Sequence, residues 1–173
     1  MSRQDPSARV QELVEASAAD LLAYFVRRVE VREDAADLLS ETLLVIWRRA
    51  SRLPADKGEA RLWMFGVARN VLSTHRRGNR RRSALHDRLR DELSGVAVDG
   101  QAEDGPDVVA AVRLLDPLDQ ELVRLVFWDG FTQAEAAALL GMRENTVRSR
   151  THRARQRLRE ALTEPSAQRC RRR

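Results

Sequence analysis

Thr132 and Glu135 stand three residues apart at the front of an alanine and leucine run that stops at Gly141. Every helix start leaves backbone N–H groups without partners, and a T-x-x-E pair satisfies two of them reciprocally, so a helix is expected to begin at Thr132. Ala136, Ala137, Leu139 and Leu140 give it a small apolar face, Gly141 ends it, and Asn145 or Thr146 is suited to cap a second helix. That is helix-turn-helix spacing. On the second helix Val147, Thr151, Ala154, Leu158 and Leu162 share one face at 3.6 residues per turn. Ser149 then centres the opposite face, with Arg148, His152, Arg153 and Gln156 around it. These side chains suit base edges and phosphates. A solvated basic face on an ordinary amphipathic helix is the plainer alternative, but a capped first helix, a turn and a second helix in that order favour recognition of DNA.

The composition agrees with that reading without proving it. The chain has 173 residues, 43% hydrophobic and 33% charged, with a net charge of +5, which suits one soluble domain or two small ones and a polyanionic partner. Lys57 is the only lysine, so nearly every cation is an arginine; a GC-rich coding bias accounts for that as well as any recognition role does. Cys170 is the only cysteine and lies in a polar tail, which excludes an intramolecular disulfide or a cysteine-based metal cluster. No apolar run reaches the roughly 18 residues of a membrane span and the N-terminus lacks a long apolar core, so the expected location is the cytoplasm, without membrane insertion.

Upstream, residues 1–7 read as a leader, and from Val10 the apolar positions Leu13, Leu21, Leu22, Phe25, Val26 and Val29 predict one or two helices, with a lapse near 16–19. Residues 33–50 predict a long amphipathic helix that buries Ala35, Leu38, Leu39, Thr42, Leu43 and Ile46. Asp34, Asp37, Glu41 and Arg48 fall on another face with Leu44 and Val45 beside them, an acidic surface open to a protein partner or to plain solvation. Pro54 and Gly58 mark 51–59 as a loop. A third helix is expected from Ala60 to about Arg77, with a basic end, Arg76 and Arg77, that continues into Arg80, Arg81 and Arg82 and suits phosphates or the helix dipole. Trp63 and Phe65 fit either base stacking or a core, and Asn70 is a polar exception among apolar neighbours.

Residues 84–106 are acidic and punctuated by glycine, with no basic residue between Asp91 and Val112, as in a flexible linker. Helical patterning resumes over 108–115, breaks at Pro117 and runs on through 118–128; residues 164–173 form a basic tail. The organisation expected is therefore all-α, with two small helical domains, 8–83 and 107–163, joined by the linker. His75, His86 and His152 have no metal-ligand spacing with Asp, Glu or Cys, and no phosphate-cradling glycine loop or nucleophile elbow occurs. No cofactor, metal or catalytic residue is expected, and the protein reads as a non-enzyme.

In this order and spacing, DAADLLSETLLVIWR, LWMFGVARNVLSTHRR and TQAEAAALLGMRENTVRSRTHRARQRL resemble a bacterial RNA polymerase sigma factor of the extracytoplasmic-function group, which keeps only the second and fourth conserved regions. The resemblance implies the partners and sites. Asp37, Glu41 and Leu44 would bind core RNA polymerase at the clamp helices of its largest subunit, with Ser40 where relatives commonly carry glutamine, and the fourth region would meet the flap of the second-largest subunit. Pro54 and Lys57 of the loop, with Trp63 and Asn70, would hold the minus-ten element, including a base flipped out of the duplex. Arg148, Ser149 and His152 would read minus-35 bases, while Thr146, Arg150, Arg153 and Arg155, with Arg76, Arg77 and Arg80, would meet DNA phosphates. The linker would pass near the polymerase active-site cleft, the sparse aromatics imply stringent promoter choice, and an anti-sigma factor is an expected partner. A stand-alone helix-turn-helix regulator that does not engage core polymerase is the alternative.

Overall fold

The computed structural model describes residues 6–90 and 106–163, with side chains for 8–80 and 108–163. No strand occurs among them, and the chain divides into two compact units, Met1–Gln101 and Ala102–Arg173. The acidic stretch 91–105 and the tail with Cys170 lie outside the described residues.

The first unit is built from α1 (Pro6–Val26), α2 (Arg32–Arg48) and α3 (Lys57–Arg90), with a single 3-10 turn at Ala50–Arg52. The lapse at 16–19 does not interrupt α1, because alanine is the strongest helix former and Ser17 is itself small enough to be buried. The three helices pack pairwise around Leu21, Tyr24 and Phe25 from α1, Ala35, Leu38, Thr42 and Ile46 from α2, and Met64, Phe65, Ala68 and Leu72 from α3. Tyr24 meets Phe25 and Phe65 edge to face, with centroids 5.4 and 5.5 Å apart. That geometry suits the opposed charges of ring edge and face, and it fixes Phe65 in the core rather than in any stack with bases. Leu39 and Leu43, expected in the buried stripe of α2, are only half-buried.

α3 starts at a side-chain cap. Asp56 Oδ1 accepts from the Glu59 amide at 2.9 Å, and a Cβ on Gly58 would come within 3.1 Å of that oxygen, so glycine leaves room for the cap. The helix passes well beyond Arg77, to Arg90. The apolar pattern ends at Leu72, but arginine propagates a helix nearly as well as leucine does, and residues 84–90 belong to α3 rather than to a linker.

The second unit holds α4 (Pro106–Arg113), α5 (Pro117–Val123), α6 (Gln133–Leu140) and α7 (Glu144–Thr163). Pro117 starts a helix instead of breaking one: it occupies the first turn, where its missing N–H is not needed, and Asp116 caps the turn by accepting from the Leu118 amide at 2.9 Å. α5 runs into a wider π turn at Arg124–Trp128, and Gly130, at φ 72°, turns the chain into α6. The capping box forms as the sequence predicts, with Glu135 N–H donating to Thr132 Oγ1 at 3.2 Å and Thr132 N–H to Glu135 Oε2 at 2.7 Å. Gly141 takes the left-handed conformation at φ 64°, and the Met142 amide closes the helix end on the Ala137 carbonyl at 2.9 Å. Neither Asn145 nor Thr146 caps α7. The Arg143 carbonyl accepts the Val147 amide at 3.1 Å, so both residues sit inside the first turn. Val112, Leu115, Val123 and Ala154 form one cluster of the core, with Trp128 and Leu158 against it, and Leu122, Leu125, Phe131 and Val147 are buried as well.

A Cβ on Gly141 would touch nothing within 4 Å, so its cost is purely conformational. Gly141→Ala should lower the stability of the second unit by about 1–2 kcal/mol in urea denaturation followed at Trp128.

Candidate nucleic-acid interface

α7 has a buried side and an open side, and its rotation decides which is which. Val147 and Ala154 are fully buried and Thr151 nearly so, while Arg148, Ser149, His152, Arg153, Arg155 and Gln156 are exposed. α4, α5 and α6 all pack on the inward side. The recognition face expected from helical periodicity is thus the face left to solvent. Ser149 donates its hydroxyl to the Thr146 carbonyl at 3.0 Å, and Arg153 Nε reaches the Ser149 carbonyl at 3.4 Å. Arg148 rests on Glu144 at 3.0 Å in a pair whose side chains are 64% and 49% exposed. Such a pair is weak, about 0.3–0.5 kcal/mol, so Arg148 can leave it for a stronger acceptor at little cost.

Arg150 behaves differently. Its Nε donates to Asp119 Oδ1 at 2.7 Å and its Nη2 to Asp116 Oδ1 at 3.1 Å, which commits the guanidinium to α5. Although expected among the phosphate contacts, it faces its own unit, because it lies about 60° from Val147 around the helix axis, at the edge of the buried side.

In the first unit, Trp63, Asn70 and Arg77 recur every seven residues and so share one side of α3. Asn70 and Arg77 are exposed and Trp63 is half-buried; Arg77 Nη2 donates to Thr74 Oγ1 at 3.2 Å. Arg76 is occupied, donating to the Arg28 carbonyl at 3.1 Å beyond the end of α1, whereas Arg80 is exposed. Before α3, the loop is held from α1: the Arg9 guanidinium donates to the Pro54 carbonyl and, at 2.7 Å, to that of Ala55. Lys57 stands 3.5 Å from Glu12, with both side chains largely exposed. Arg9 carried no local signal in the sequence, since its partners lie 45 and 46 residues away.

The outer side of α2 carries Asp37, Glu41 and Leu44 as one stripe opposite Ala35, Leu38, Thr42 and Ile46. Trp47 lies beside it, 54% exposed next to Leu44 at 57%. The sequence reading passed over Trp47. Its signal was its position three residues after Leu44 and outside the buried stripe, where a large aromatic has no role in the core. Among the described residues no group of three or more His, Cys, Asp or Glu side chains can hold a metal ion, and no helix is long and apolar enough to cross a membrane.

A two-unit helical protein with an arginine-lined helix-turn-helix in one unit and an exposed acidic and apolar helix face in the other has the build of a DNA-binding protein with a second, protein-facing surface. Residues 13–82 match the family model for Sigma-70 region 2, and residues 107–158 that for Sigma-70, region 4. The chain is 29% identical over 164 residues to the ECF RNA polymerase sigma factor SigL of Mycobacterium tuberculosis, covering 91% of each. It is 32% identical over 155 residues to the RNA polymerase sigma-E factor of Streptomyces avermitilis, covering 88% of this chain and 84% of that one. The crystallised sigma factor RpoE from Bartonella quintana, solved with the anti-sigma factor NepR, shares the fold at a TM-score of 0.67 and 24% identity, over 89% of this chain and 96% of that one. The chain belongs to the extracytoplasmic-function sigma factors of the sigma-70 family, promoter-specific initiation factors that do not themselves catalyse a reaction.

Removing the Arg9 fork leaves two loop carbonyls without their donor. Arg9→Met should cost about 1–2 kcal/mol in thermal unfolding and speed amide exchange across 51–56 without altering α6 or α7.

Proposed function

We propose that this sigma factor binds core RNA polymerase through the outer side of α2, reads the minus-35 element with α7, and holds the minus-ten element between the 51–56 loop and α3 during opening. The first unit takes the region 2 role and the second the region 4 role. The observation that carries the reading is the exposure of Arg148, Ser149 and His152 together, opposite buried Val147, Thr151 and Ala154.

Asp37 and Glu41 supply charge, and Leu44 and Trp47 supply about the apolar anchor that a protein interface needs at its centre. Asn70 and Trp63, on one side of α3, suit capture of an unstacked base; extruding one costs a few kcal/mol, which pocket and phosphate contacts must offset. Arg148, lightly held by Glu144, is placed for bidentate donation to a guanine edge. Arg153, Arg155, Arg77 and Arg80 lie exposed for phosphates. We also propose an anti-sigma partner that covers part of these surfaces, as the solved relative RpoE was crystallised with NepR.

Purified protein added to core polymerase should direct initiation from a discrete set of promoters in a genome-wide run-off assay. Failure at every promoter, or tight binding to an operator without core, would defeat the proposal. Within that assay Arg148→Ala should relax discrimination at one minus-35 position by about 1–3 kcal/mol, whereas Arg153→Ala should weaken all sequences alike and reduce the salt slope by about one. Equal losses across base variants for Arg148→Ala would contradict its role.

A further inference from the structure

Two arginines two residues apart on α7 have opposite fates, and the difference bears on specificity. Arg148 is exposed and, among the described residues, pairs with Glu144 on its own helix. Arg150 reaches across to α5, where Nε meets Asp119 Oδ1 at 2.7 Å and Nη2 meets Asp116 Oδ1 at 3.1 Å. The Asp119 side chain is only 9% exposed and that of Arg150 26%, so this bridge is well shielded from water. Asp116 is doubly used, because the same Oδ1 caps α5 through the Leu118 amide at 2.9 Å.

A planar guanidinium gripping two carboxylates constrains both position and angle, whereas the apolar contacts of Val147, Thr151 and Ala154 tolerate a small roll of the helix. A roll of α7 about its axis swings the outward side chains through the largest arc, because they stand farthest from the contact line. Hydrogen bonds between Arg148, Ser149 or His152 and base edges require distances within a few tenths of an ångström and near-linear geometry.

We propose that Arg150 is a positioning residue for promoter recognition: clamped by Asp119 and Asp116, it fixes the roll of α7, and thereby which bases the open face can discriminate, without contacting DNA itself. This rests on the minus-35 reading above. It assigns Arg150, Asp119 and Asp116 to specificity and removes Arg150 from the phosphate contacts.

Holoenzyme reconstituted with the full chain is offered promoter duplexes randomised across the minus-35 element, with the minus-ten region of a promoter mapped by run-off held fixed. Asp119→Asn and Arg150→Lys, both of which keep side-chain bulk, should each flatten the preference among bases by about tenfold. The slope of log affinity against log salt should stay at the wild-type value, since no phosphate contact is lost. Partial unfolding lowers the occupancy of every sequence by one common factor and leaves the ratio between bases unmoved, so that ratio separates positioning from mere stability. Two results overturn the proposal: undiminished discrimination in both variants, or tighter binding of all sequences with a steeper salt slope for Asp119→Asn, as a freed guanidinium on a phosphate would give. A wild-type holoenzyme with no minus-35 preference would defeat the promoter reading itself, and the clamp with it.

Discussion

The burial of one side of α7 is the constraint on which the second unit depends. Val147, Thr151 and Ala154 are short side chains, and Ala154 is fully buried in the core beside Val112, Leu115 and Val123. At the edge of this buried side Arg150 bridges α7 to α5 through Asp119. The core tolerates an imperfection to keep this shape: the Thr151 hydroxyl is buried without a hydrogen-bond partner, a group whose desolvation costs about 1–3 kcal/mol. What the helix shows to solvent is then a consequence of what it hides.

The first unit solves the same problem with aromatic bulk. Tyr24, Phe25 and Phe65 interlock at right angles, and the buried guanidinium of Arg28 stacks on the Tyr24 ring with 3.7 Å from its carbon to the centroid. The second unit buries mainly aliphatic side chains, Leu122 and Leu125 among them, and adds polar links between α4, α5 and α7. Gln120 donates to the Leu115 carbonyl at 2.9 Å, and Asp116 and Asp119 take Arg150. Small units bury a smaller share of their surface, so directional links carry more of the definition of their geometry.

Features set by neighbours in the chain were legible in the sequence. The capping box at Thr132, the glycine turn at Gly141 and the outward face of α7 follow from local hydrogen bonding and a 3.6-residue period, and each is present. The end of α3 was not legible, because apolar periodicity is the signal for a helix and the stretch after Leu72 has none, although arginine sustains the backbone equally well. Phe65 read as either core or stacking surface until Tyr24 supplied its partner. Asn145 and Thr146 do not cap α7 because, although good capping residues, they fall within its first turn.

Arginine itself shows why composition is a poor guide to contacts. A net charge of +5 and an almost complete absence of lysine suggest a surface devoted to DNA. Yet Arg9 spans the carbonyls of Pro54 and Ala55, Arg28 donates to the Tyr24 carbonyl at 3.0 Å, Arg76 donates to that of Arg28, and Arg150 bridges two aspartates. Arg150 meets two carboxylates at once through two different nitrogens, Nε and Nη2, a geometry that a planar fork of N–H donors satisfies and a single ammonium does not. The same residue type thus builds the scaffold and lines the exposed face of α7, and only long-range packing separates the two placements. Arg148 and Arg150 make the point within one turn of one helix: identical chemistry, two positions apart, with one exposed beside Glu144 and the other committed to Asp119 and Asp116.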